Sequence, residues 1–130
     1  MARIEHIALW TPDIERLAGF YSTWLGATVG PKYVNVSKGF ESRFLTFASG
    51  ARLEIMQTST LHPVRLESGA QRMGLTHLAF SLGAESRVDE LTQRLRGAGF
   101  PIADGPRRTG DGYYESVVLD PDGNRIELTV

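Results

Sequence analysis

Apolar positions recur along this chain with two periods that take turns. In "IEHIALW" (Ile4 to Trp10), Ile7 and Leu9 fall on one parity while His6, Ala8 and Trp10 fall on the other, the pattern of a strand with two unlike faces. The next stretch, "TPDIERLAGFYSTWLG", brings Ile14, Leu17, Phe20 or Tyr21, and Trp24 round at helical spacing. Its expected N-cap is Thr11, with Pro12 at the first helical position and Gly26 as the stop. Strand-like segments follow at 27–34, 42–48 and 51–57. In the last of these Leu53 and Ile55 share a face, and Arg52, Glu54 and Met56 take the opposite one.

The same order returns after about seventy residues. "LTHLAFS" (Leu75 to Ser81) again has His third, then an apolar residue and Ala. "ESRVDELTQRLRGAG" places Val88, Leu91, Leu95 and Ala98 on one side, with Ser86 as the expected cap and Gly97 or Gly99 as the stop. Strands are expected at 100–104, 114–119 and 125–130, where Ile126 and Leu128 oppose Glu127. "GFESRFLTFASGARLEIM" and "GYYESVVLDPDGNRIEL" share Glu-Ser, an apolar stretch, a Gly turn, and Arg-apolar-Glu-apolar. The predicted fold is therefore α+β, a single domain over 1–130 built from two βαβββ repeats. Repeat one covers about 1–57, a linker with a short helical turn 58–73, and repeat two about 74–130. "DPDGN" (Asp120 to Asn124) reads as a tight hairpin, and "GPRRTGDG" (Gly105 to Gly112) as a longer, mobile loop able to act as a lid.

Each half thus has an apolar sheet face for its helix and an opposite face with one His and one Glu. If the mixed sheets curl toward each other, His6, Glu54, His77 and Glu127 converge in a shared cavity. Two imidazoles and two carboxylates there make a competent site for one divalent ion such as Zn, Mn, Ni, Co or Fe(II). A lone strand His is more commonly a hydrogen-bonded or half-exposed residue, and a Glu between apolar neighbours more commonly faces solvent. The matching repeat positions shift the balance toward ligation, although duplication copies bland residues as readily as ligands.

Composition narrows the partners. The 130 residues carry a net charge of -1, with 42% hydrophobic and 22% charged residues, which fits one globular unit with no bias toward nucleic acid or anionic membrane. A small-molecule substrate is the expected partner. The absence of cysteine removes disulfides, thiolate zinc sites and cysteine nucleophiles. The N-terminus lacks the basic and apolar regions of a signal peptide and no stretch approaches 18 apolar residues, so a cytoplasmic location is the default. The third histidine, His62, precedes Pro63 in the linker and reads as an exposed loop residue.

"IEHIALW", the helix ending "FYSTWLG", "GLTHLAF" and above all "DPDGNRIEL" make the chain resemble the vicinal oxygen chelate superfamily, also called the glyoxalase, bleomycin resistance and dioxygenase superfamily. The resemblance covers essentially the whole chain and implies paired βαβββ units around a metal or ligand cavity. By motif, His6, Glu54, His77 and Glu127 fall where glyoxalase I-like members carry four metal ligands. Extradiol dioxygenases typically use only His, His and Glu. The resemblance therefore implies a lyase, isomerase or epimerase that acts through an enediolate, with Glu127 as the first choice of proton-shuttling base and Glu54 as the other. A metal-free small-molecule (antibiotic) binding protein and an Fe(II) dioxygenase are the alternatives.

Glutathione-dependent members commonly carry an Arg four positions after the first His, where this chain has Trp10; that departure argues against lactoylglutathione as the product, and Trp10 suits an apolar or aromatic substrate wall or ordinary packing. Arg43, Arg107 and Arg108 are candidates to hold a substrate carboxylate, and Tyr113 or Tyr114 to touch substrate. The resemblance also implies a homodimer, with the cavity built within one chain or across two.

Overall fold

The computed structural model describes residues 1–62 and 70–130. The chain divides into two compact units, 1–65 and 66–130, with the same order of elements. Much of the linker in which a short helical turn is expected, 63–69, lies outside the described residues.

In the first unit β1 (His6–Trp10) leads into α1 (Ile14–Leu25), and β2 (Thr28–Val29), β3 (Tyr33–Asn35), β4 (Phe40–Thr46) and β5 (Arg52–Thr58) follow. The sheet order is β1-β5-β4-β2, with β3 also paired to β4. Only the β1–β5 contact is parallel, so the sheet is mixed. Leu45, Leu53 and Ile55 are buried, as are Ile14, Leu17, Ala18, Phe20 and Tyr21 of the helix. Each such fully buried aliphatic side chain stabilises by about 1.5–3 kcal/mol relative to exposure, and this apolar contact fixes which face of the sheet the helix covers. His6, Ala8 and Trp10 are left on the other face with Glu54 and Met56, their register partners or near neighbours.

The second unit repeats the design with β6 (His77–Ser81), α2 (Glu85–Gly97), β7 (Ile102–Arg108), β8 (Tyr114–Leu119) and β9 (Arg125–Thr129) in the order β6-β9-β8-β7. Val88, Leu91 and Leu95 pack on the face that carries Val118, Ile126 and Leu128, all buried. One polar contact is sealed in this core: the Thr92 hydroxyl donates to the Val88 carbonyl at 2.6 Å and lies 2.7 Å from the Ser116 hydroxyl, which therefore donates to it. The expected "DPDGN" turn is present, with Asp120 accepting backbone N–H bonds from Asp122 and Asn124 at 2.9 Å.

The boundaries differ from the sequence expectation for identifiable reasons. The cap of α1 is Asp13, whose carboxylate accepts from the Arg16 N–H at 3.0 Å; Thr11 is buried two residues earlier, and Pro12 lies outside the helix. Gly26 does stop it, at φ 68°. The α2 cap is Ala84 with no side-chain bond, and Ser86 falls inside the first turn. The strand expected at 27–34 is split in two, because Pro31 has no N–H to donate and Gly30 approaches β4 so closely that a Cβ there would lie 3.0 Å from the Phe44 carbonyl.

The largest correction concerns 105–112. Residues 105–108 belong to β7, which pairs with β8 through register shifts at Asp104 and Arg107. Gly105 permits this with φ 74° and a Cβ position only 2.6 Å from the Glu115 carbonyl, which no side chain could occupy. What remains is a turn over 109–113, closed by the Thr109 N–H to the Tyr113 carbonyl at 2.7 Å, and this paired geometry does not describe a lid.

The shared Glu-Ser of the two halves is also displaced. Both hairpins place a buried pair at the same point, Leu45 opposite Leu53 and Val118 opposite Ile126, and counting back makes Ser42 the equivalent of Glu115. Glu41 consequently lies on the helix face while Glu115 shares the face of Glu127. Among the described residues no helix is long and apolar enough to cross a membrane.

Candidate metal centre

The parallel registers are identical in the two units: Ala8 pairs with Glu54 and Ala79 with Glu127, each His preceding its Ala by two positions on the same face. That registration brings His6 Nε2 to 3.6 Å from Glu54 Oε2, and His77 Nε2 to 3.2 Å from Glu127 Oε2. Exposure matches as well: 40% and 18% for the side chains of the first pair, 39% and 17% for the second. A divalent ion with ligand bonds near 2.1 Å holds neighbouring donors roughly 3.0 Å apart in an octahedron and roughly 3.4 Å apart in a tetrahedron. Each pair therefore fits two adjacent ligands of one ion. Among the described residues no group of three or more His, Cys, Asp or Glu is gathered for a metal, and each unit presents one His–Glu pair.

Two further carboxylates adjoin the pairs, and neither was picked out from the sequence. Glu5 accepts from His6 Nδ1 at 2.5 Å and from Arg52 at 2.8 and 2.5 Å. A proton on Nδ1 leaves the Nε2 lone pair facing Glu54, the tautomer that a ligand must adopt. The bonds from His6 and then from Arg52 hold the Glu5 carboxyl below the usual carboxylate range. Arg52 also lies 4.1 Å over the Phe44 ring, which meets the His6 ring edge-on at 5.5 Å, so the imidazole is fixed from two sides. The sequence signal was adjacency to His6, visible only once β1 and β5 were paired in register.

In the second unit Glu115 lies diagonal to Glu127 across β8 and β9 and hydrogen-bonds to it. Burial, then the negative charge of Glu127, pushes the Glu115 carboxyl above the usual range, and the hydrogen bond between them acts in the same direction.

The remaining candidates fall in different places. Trp10 shares the face of His6 and Glu54, half-exposed. Arg43 is engaged on the helix face, donating to Glu15 at 3.1 Å and to the Gly30 carbonyl at 2.8 Å. Arg108 pairs in register with Tyr114 and bonds to Glu85 of α2, and Tyr114 reaches Asp89 of the same helix at 2.6 Å. Arg43 and Arg108 thus serve the sheet–helix contacts and lie off the His–Glu faces. Arg107 does lie opposite Glu115, but its guanidinium bonds to Asp104 at 2.7 Å. Tyr113 is exposed in the 109–113 turn.

A paired βαβββ chain with a His–Glu couple on each open sheet face defines the class, and sequence comparison agrees. The profile of the Glyoxalase/Bleomycin resistance protein/Dioxygenase superfamily matches residues 3–128, and the chain belongs to that superfamily. It is 28% identical to the uncharacterized protein YqjT of Bacillus subtilis over 131 residues, covering 96% of each chain. Among solved structures it is similar to the glyoxalase family protein of Enterococcus faecalis, at 26% identity and TM-score 0.77 over 98% of this chain and 96% of that one. The trypanothione-dependent glyoxalase I of Leishmania major has the same fold, at 24% identity and TM-score 0.77 over 99% of this chain and 86% of that one. The superfamily includes lyases, dioxygenases and binding proteins, and its members typically bind a divalent metal.

Proposed function

We propose that this protein is a metal-dependent lyase or isomerase of the glyoxalase I type, acting on a small substrate with vicinal oxygens. The observation that carries the reading is the duplicated His–Glu pair: two couples with the same register, nearly the same donor separation and the same exposure. His6, Glu54, His77 and Glu127 hold one divalent ion, taken from one chain or from the two chains of a homodimer. When bound, the ion would supply Lewis-acid polarisation of the substrate oxygens, which acidifies the C–H of one of the two adjacent carbons that bear them. The chain's own work is positional and protolytic. His6 is presented through Nε2 by Glu5, His77 occupies the matching place, and Glu127 takes the proton from the activated carbon and returns it to the neighbouring one. Glu54 is the alternative base. The protein is expected in the cytoplasm.

The test is a turnover screen of metal-loaded and chelated protein against hemithioacetals, 2-oxo thioesters and catechols. Proton-transfer turnover that needs both the ion and Glu127, and that fails in Glu127→Gln, supports the reading. Small-molecule binding indifferent to exhaustive chelation overturns it in favour of a metal-free binding protein. Oxygen uptake with a catechol overturns it in favour of a dioxygenase.

A further inference from the structure

The two units duplicate the His–Glu chemistry but not what surrounds it. Two positions beyond Ala8 on β1, on the same face, stands Trp10; the register places Ser81 at the matching point of β6. A sheet of this design therefore forms with a small polar residue there. The indole of Trp10 is 50% exposed and so contributes little to the core. It is not isolated either. Its ring meets Phe40 edge-on at 6.2 Å, and Phe40 meets Tyr33 at 6.1 Å with a 59° tilt, which makes a run of three aromatic rings across β1, β4 and β3. Tyr33 is 56% exposed.

The placement relates this run to the chelating residues. Trp10 is four residues from His6 along β1, which is roughly 13 Å at strand rise. Phe40 is likewise four residues along β4 from Phe44, the residue opposite Glu54. The polar end of the face, with His6, Glu54, Glu5 and Arg52, is thus separated from an aromatic end by about the length of an extended side group. Nothing among Trp10, Phe40 and Tyr33 offers a cation to an acidic tail. An aromatic ring prefers offset or edge-on contact with another π system, and a planar ring gains most from rings arranged in this way.

We propose that the Trp10–Phe40–Tyr33 run is a subsite for an uncharged planar aromatic group of the substrate, borne at roughly 13 Å from the oxygens held at the His–Glu end. The inference rests on the reading of His6 and Glu54 as the chelating end, and it deepens that reading by naming the substrate class: an aryl-bearing compound in place of a peptide thiol conjugate. The subsite itself needs no metal, which lets the two claims fail separately.

The experiment is an NMR titration of chelated protein with 2-naphthamide, with cyclohexanecarboxamide as the non-planar control. The chain has two tryptophans and hence two indole N–H signals, and Trp10→Ser, which copies Ser81, assigns that of Trp10. The expected result is a saturable shift of the Trp10 signal by 2-naphthamide, weaker binding of the cyclohexyl control, and an affinity for the naphthyl probe that falls about tenfold in Trp10→Ser. Phe40→Leu should lower it to a similar degree and serves if Trp10→Ser does not fold. Equal affinity in wild type and variant, or shifts confined to the Trp24 signal, overturns the subsite. Because the protein is stripped of metal, neither result bears on whether the four ligands hold an ion.

Discussion

Removing one imidazole at a time probes whether both halves contribute to a single site. The donor separations, 3.6 Å in the first pair and 3.2 Å in the second, and the near-identical exposures give no reason for one half to bind more strongly than the other. A four-ligand structural zinc site is worth about 10–16 kcal/mol at neutral pH, or about 2.5–4 kcal/mol per ligand if shared evenly. His6→Ala and His77→Ala should therefore each weaken zinc binding by about two to three orders of magnitude, and by amounts that agree within about tenfold. Competition titration against a chromophoric chelator reads the affinities, and circular dichroism of the metal-free variants checks that the fold survives. If His77→Ala abolishes binding while His6→Ala leaves it unchanged, or the reverse, the ion sits on one half alone and the equal-partner reasoning is refuted.

Three other perturbations have definite outcomes. Glu5→Ala frees His6 to take either tautomer and should lower metal affinity about tenfold, whereas Glu5→Gln retains an acceptor oxygen and should stay within about threefold; equal losses would remove the orienting role. Thr92→Val keeps shape but strips the acceptor of Ser116, and leaving that buried hydroxyl unmatched should cost about 1–3 kcal/mol in urea unfolding, partly recovered by adding Ser116→Ala; a neutral Thr92→Val contradicts the contact. Glu115 retains its proton in the folded chain at pH values where the unfolded chain releases it, so its contribution is fully present below about pH 4.5 and is lost as pH rises through the raised folded value. In chelator, Glu115→Gln should accordingly make the unfolding midpoint less pH-dependent above about pH 4.5, and an unchanged slope would discount that coupling.

Much of the fold was legible because the side-chain period of a strand is two. That alone placed His6 opposite Ile7 and Glu127 opposite Ile126, and the structure keeps those faces. The strands at 114–119 and 125–130 followed for the same reason. Helix starts were harder: Thr11 and Asp13 are both capping residues, and only the burial of Thr11, whose N–H is taken by the Met56 carbonyl, decides between them. The 105–108 strand was hidden by Gly105 and Pro106, which read as turn formers until a partner strand is present to make them a bulge. Charge alone marks Arg43 and Arg108 as carboxylate holders, whereas their partners, Glu15 and Glu85, are on helices whose docking no local pattern specifies. Glu5 and Glu115 carry no local signal, because what they do depends on registers across strands that are separate in the chain.

Metal stoichiometry tests the account most directly. Native mass spectrometry and elemental analysis of purified, zinc-reconstituted protein should find one ion per chain whether the pairs combine within a chain or between two, since each ion consumes one pair from each half. Two ions per chain would mean that each His–Glu pair binds by itself, and none would mean that the matched pairs are not ligands.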